Sequence, residues 1–190
     1  MVACFCAYKH MMIYLFLAPG FEEVEALTPA DYLRRCELDL KLVGVGGKNI
    51  TGSHGITVTC DITAEEAAEH LPEMIILPGG MPGTLHLEQS PVVQRAIDIA
   101  VERGLLLCAI CAAPSILGHR KLLEGRRATC YPGFEKELGG VRTVEEPVVA
   151  DGRFITARGA GVAVDFGLRI AAALASPEKA AAVGEAMQCR

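Results

Sequence analysis

Three short runs in this 190-residue chain, 12–18, 74–77 and 105–110, are apolar at nearly every position. A strand with one wet face alternates apolar and polar residues, so runs without that alternation need cover on both sides. Helical signals lie between them. Residues 22–36 open on Glu22, Glu23 and Glu25 and close on Arg34 and Arg35, the order that suits a helix dipole. Ser90 precedes a helix over Pro91–Arg103, with proline at its first position and Gly104 as its stop. Strands alternating with helices predict an α/β sandwich of three layers, a mainly parallel sheet with helices on both faces.

The remaining segments fit the same scheme. The pattern predicts a strand over 38–45, a hairpin over 48–61, a short helix over 63–70 and a helix over 112–117 stopped by Gly118. A strand over 127–130 leads into a Pro132-led helical turn. Strands 148–150 and 154–157 pair across Asp151-Gly152, a two-residue turn signal. Helices over 161–175 and 177–187 close the chain. Residues 11–190 read as one domain. Residues 1–10 read as an extension of unknown role, with Met11 or Met12 as the ancestral start.

Several function classes are excluded early. Lys and Arg number 18 against 23 Asp and Glu, a net charge of −5, with no basic run and no Trp. That leaves no electrostatic footprint or stacking platform for nucleic acid, and none for an anionic membrane. Residues 1–18 imitate a signal peptide, but no basic segment leads them and Lys9 and His10 interrupt them. No apolar run is long enough to span a bilayer. Of the eight cysteines, Cys60 and Cys108 sit in strand-like apolar runs and Cys36 ends a helical pattern, and a chain of this length needs no disulfide framework, which points to a reducing, cytoplasmic compartment.

Open parallel sheets bind ligands beyond the carboxyl ends of their strands. Cys111 stands between an apolar strand and a helix, among small neighbours, in the manner of a nucleophile elbow without the G-x-S-x-G signature. A thiol at a helix N-terminus has its pKa lowered. The alternative is a buried, inert cysteine at a strand end. Cys108 and Cys111 also form C-x-x-C, but Cys108 lies inside the strand and no second ligand pair completes a metal site. Pro78-Gly79-Gly80 can bring backbone N–H groups close to a reacting atom, or can be a plain turn. Glu25 lies one helical turn past Glu22, and either could point inward while the other acids meet solvent. No nucleotide fingerprint is present, so neither cofactor nor metal is expected.

Taken together, 22–25, 77–83 and 109–114 resemble the ThiJ/PfpI superfamily, in its DJ-one-like branch with the YajL-type proteins. Asp31 and Arg35, 128–132 and 156–159 extend the likeness over nearly the whole chain. The resemblance implies a flavodoxin-like homodimer with Cys111 as nucleophile and Glu25 as the acid beside it. It implies backbone donors at Gly80 and Ala112, and Tyr131, His54 and Arg35 as pocket residues. Two positions depart from the wider pattern. Ala112 replaces the His that follows the cysteine in PfpI-type proteases, and Tyr131 replaces a His common after the elbow helix. His54 stands where some relatives place an arginine. The implied activity is a cofactor-independent glyoxalase or deglycase acting on small aldehydes such as methylglyoxal and their adducts. The alternatives are an oxidative-stress sensor or chaperone using Cys111 oxidation, a thiamine-pathway accessory and a protease-like protein.

Overall fold

The computed structural model describes residues 12–70 and 72–189, so the extension expected at 1–10 lies outside the described residues. The chain opens with β1 (Ile13–Leu17), α1 (Glu23–Arg35) and β2 (Leu40–Gly44). The predicted hairpin follows as β3 (Asn49–Thr51) and β4 (Thr57–Thr59), then β5 (Ile62–Thr63) and α2 (Ala64–Ala68). Thr63 and Glu66 close a reciprocal capping box at the start of α2. Next come β6 (Met74–Leu77), α3 (Gly83–Gln89), α4 (Pro91–Arg103), β7 (Leu106–Ile110) and α5 (Pro114–His119). The last third holds β8 (Arg127–Ala128), β9 (Arg142–Thr143), β10 (Val148–Asp151), β11 (Phe154–Ala157), α6 (Ala163–Leu174) and α7 (Pro177–Ala186).

Seven strands form one sheet in the order β10-β11-β7-β6-β1-β2-β5, parallel throughout except for β10 against β11. The apolar runs have the cover they require. In β1, Ile13, Leu15 and Leu17 enter a core with Leu33 of α1 and Phe166 and Ile170 of α6. Tyr14 and Phe16 enter the opposite core with Val93 and Ile97 of α4 and Ile116 of α5. Successive side chains on a strand point to opposite faces, so two covered faces erase the alternation from the sequence. No helix among the described residues is long and apolar enough to cross a membrane.

Some local expectations are corrected. Gly118 lies inside α5 rather than ending it, and a side chain there would strike the backbone of Leu138 at 2.5 Å. Its bareness serves close packing. The strand expected at 127–130 stops at Ala128 and pairs with β9 instead of joining the main sheet. The β10–β11 register opposes Asp151 to Phe154, which makes Gly152-Arg153 the two-residue turn, with Gly152 at φ +59°. Helix α3 fills a segment for which the sequence pattern predicts no element. The helical turn after Pro132 is a 3-10 turn at Glu135–Leu138, and a second one at Ala160–Val162 precedes α6.

Candidate active site

Strands β7, β6 and β1 lie side by side, and their carboxyl ends bring three loops together. The chain runs outward from β1 to β2 and returns to place β6 on the other side, so the β1–β6 boundary is a topological switch point. Ala18–Glu22, Pro78–Pro82 and Cys111–Ala113 meet there.

Cys111 takes φ +66°, a left-handed conformation rare outside glycine. The surrounding bonds hold it there. Its N–H donates to Ala157 O at 2.9 Å, Tyr131 N–H donates to its carbonyl at 2.8 Å, and Ala113 N–H closes the turn on Ile110 O at 3.1 Å. Ser115 Oγ donates to Ala112 O at 2.7 Å and secures the next residue. Strain fixed from several sides aims the thiol into the space between the loops.

Glu25 faces that thiol from the first turn of α1 and is 1% exposed. Its N–H is capped by Glu22 Oε2 at 2.7 Å, and its own Oε2 accepts from Gly79 N–H at 2.9 Å. Burial pushes its carboxyl pKa up to about 7, helped by the charge of Glu22 and opposed by hydrogen bonds with Cys111, Gly79 and Ala160. Burial also pushes the Cys111 thiol up to about 12, with the Glu25 charge and hydrogen bond adding to it. The backbone N–H groups of Ala112 and Gly80 reach the sulfur and act in the opposite direction.

The expected lowering of the thiol pKa by a helix N-terminus is therefore corrected. Helix α5 begins only at Pro114, and burial beside a carboxylate outweighs two N–H donors. The two acids instead titrate as a pair. Once one proton has left, moving the other from sulfur to Glu25 gives a thiolate facing a carboxylic acid. In that arrangement the donors at Ala112 and Gly80 and the carboxylic acid proton all face the charged sulfur.

The other expected residues divide. Tyr131 lies at the edge of the site, half exposed, and its ring would be 3.4 Å from a Cβ placed on Gly159. That same atom would be 3.7 Å from Glu25 Oε1. An open groove of about 460 Å³, lined by Tyr131, Pro147, Arg158, Gly159 and Ala160, thus ends beside the carboxylate. Arg35 stands away from Cys111 within its own chain: it sits in the last turn of α1, paired with Asp31 at 3.0 Å. Ten residues of helix separate it from Glu25, about 15 Å along the axis.

His54 is turned to another acid. Glu23 is as good as buried, contrary to the solvated place expected for it, and its Oε2 meets His54 Nδ1 at 2.9 Å while its Oε1 accepts His54 N–H at 2.8 Å. Burial raises the Glu23 pKa but these bonds, with that of Ile56 N–H, hold it below the ordinary carboxylate range. The Glu23 bond in turn raises His54. Glu22, Glu23 and His54 are the one group of three among the described residues whose ligand atoms converge. Glu23 already spends its oxygens on the hairpin, which makes the group a clamp between α1 and the β3–β4 loop.

Two participants escaped the sequence reading, the N–H groups of Gly79 and Ala160 on Glu25. The Gly-Gly pair signalled a close approach but not its target. Nothing in the sequence marks Ala160. The C-x-x-C spacing brings no pairing: Cys108 is fully buried in β7 with burial raising its pKa, and both thiols are free.

Comparison with known proteins agrees with this geometry. The model of the DJ-1/PfpI family matches residues 11–173. Protein dj-1beta of Drosophila melanogaster is 33% identical over 176 residues, covering 91% of this chain and 94% of that protein. Its crystal structure superposes with a TM-score of 0.90 at 32% identity, over 95% of this chain and 98% of the other. A Caenorhabditis elegans relative named glutathione-independent glyoxalase DJR-1.2 is 32% identical over 161 residues, 83% of this chain and 85% of its own. The flavodoxin-like α/β fold is common to this chain and the solved structure.

Proposed function

The chain belongs to the DJ-1/PfpI family, and on that premise we propose that it is a cysteine-dependent, glutathione-independent glyoxalase acting on small reactive aldehydes. The observation that carries this reading is the buried Glu25–Cys111 pair under the Gly79 N–H. The glyoxalase name of the Caenorhabditis elegans relative supports the choice of substrate class. Deglycase action on aldehyde adducts, a homodimer and a cytoplasmic location belong to the same proposal.

The reaction follows from the pair. The Cys111 thiolate adds to the aldehyde carbon of methylglyoxal, and the new alkoxide takes the proton of the Glu25 carboxylic acid to give a hemithioacetal and a Glu25 carboxylate. Glu25 as carboxylate removes the hydrogen of that carbon and returns a proton to the neighbouring ketone carbon through an enediol. The former aldehyde carbon is oxidised to a thioester, the ketone carbon is reduced to an alcohol, and no external oxidant is needed. Water then cleaves the thioester, releasing lactate and the thiol. Glu25, buried with a pKa near neutrality, suits an acid-base group that must work in both directions.

Intact-mass analysis of protein quenched during turnover tests the covalent step. The expected species gains the mass of one methylglyoxal on Cys111 in wild type and accumulates further when hydrolysis is slowed in heavy-water buffer. Adducts spread over surface lysines and arginines with Cys111 unmodified would overturn the mechanism.

A further inference from the structure

His119 closes the last turn of α5 and lies between two acids from other elements. Its Nδ1 is 2.6 Å from Glu88 Oε1 of α3, and its Nε2 is 3.0 Å from Glu137 Oε2 of the 3-10 turn. A carboxylate only accepts hydrogen bonds, and a neutral imidazole donates from one nitrogen only. Both contacts together require the imidazolium. The bonds to Glu137 and Glu88 raise the His119 pKa accordingly. Glu88 and Glu137 are the charged groups facing the ring; the adjoining Arg120 turns away to Asp98 and Gln94 of α4.

The three elements joined here are the continuations of three stretches of the site. Helix α3 begins three residues after Gly80, α5 begins three after Cys111, and the 3-10 turn begins four after Tyr131. Helix α5 packs closely on the 3-10 turn at Gly118, whereas an open groove of about 210 Å³, bounded by Met81, Thr84, Ser115 and Phe134 among others, lies between that pair and α3. Ser115 in its wall is the residue that bonds Ala112 O behind the cysteine. The pair of His119 with Glu88 bridges that groove to α3, and the pair with Glu137 adds to the contact already made at Gly118.

We propose that His119 is a positioning residue for Cys111, an imidazolium strap that ties the Gly80, Cys111 and Tyr131 loops together and releases them when it loses its proton. The proposal takes Cys111 as the reactive thiol but does not depend on aldehyde chemistry, so its test reads alkylation rather than turnover. The rate of Cys111 carboxamidomethylation by iodoacetamide, followed by intact mass, is measured across neutral pH for wild type, His119→Gln and His119→Arg. Below the His119 pKa, His119→Gln reacts about threefold more slowly than wild type, the size expected for partly exposed ion pairs. The difference closes as wild-type His119 deprotonates. His119→Arg, which keeps donors to both acids and does not titrate, restores the wild-type rate at low pH and retains it at high pH. A ratio of His119→Gln to wild type that stays constant with pH would overturn the strap, because a merely structural role gives a fixed offset. Should the variants misfold, ring ¹⁵N shifts of wild-type His119 decide. Both nitrogens protonated at neutral pH is the expected result, and a neutral ring there would contradict the proposal.

Discussion

The N–H of Gly79 donates to Glu25 Oε2 at 2.9 Å, and a Cβ on that glycine would come within 2.6 Å of both that oxygen and Cys111 Cβ. One bare backbone position therefore orients the acid and makes room for it to meet the thiol. Gly79→Ala should separate the pair, costing about 2 kcal/mol of stability from overpacking. It should also remove most Cys111 reactivity. Urea unfolding together with iodoacetamide labelling checks both effects. A variant that folds with unchanged labelling would contradict this role.

The Glu25 carboxyl carries a pH signature. Its folded pKa of about 7 lies above the ordinary 4.5, so the native state holds a proton that the unfolded chain gives up between these values. Its contribution to stability is thus present at low pH and declines as pH rises to about 7. Glu25→Gln cannot ionise and escapes that decline. Relative to wild type the variant should gain up to about 3 kcal/mol by about pH 8, with the gap closing near pH 4. A gap independent of pH in urea titrations would show that burial does not govern this group.

The sheet was legible in the sequence because a strand buried on both faces leaves a fully apolar run, as in β1 and β6. The position of Cys111 was legible for the same reason, at the end of such a run. Its environment was not. Whether a helix terminus or a neighbouring carboxylate governs a thiol depends on distances between loops that lie far apart in sequence. Glu23 shows the same limit. Three acids in a helix's first turn look like a solvated cluster, and only the folded hairpin supplies the donors that bury one of them. Arg35 enters the pocket by likeness alone, and the length of α1 carries it away from Glu25 of its own chain.

That hairpin clamp can be tested separately. Glu23→Ala removes the acceptor for His54 and Ile56 and should cost about 1 kcal/mol, the net worth of hydrogen bonds whose donors can turn to water. Hydrogen exchange of the amides at 52–56 should accelerate with it. His54→Ala should have a smaller effect, because the ring is largely exposed and the backbone bond to Glu23 Oε1 survives. Equal losses in the two variants would shift the weight of the clamp to the imidazole.

The conformation of Cys111 sets which substitutions the elbow accepts. At φ +66°, Cys111→Gly should relieve backbone strain of about 1 kcal/mol and leave a folded protein without a thiol. Cys111→Val, branched at Cβ, should be the least stable replacement. Thermal unfolding of the two variants beside Cys111→Ala provides the order. Val as stable as Ala would mean that the turn relaxes out of the left-handed region.

The most direct test of the central claim is lactate formation from methylglyoxal, with glutathione and metals absent, by wild type and Cys111→Ala side by side. The account predicts steady turnover by wild type and none above background by the variant. Equal lactate from both proteins, or none from either, would contradict a cysteine glyoxalase.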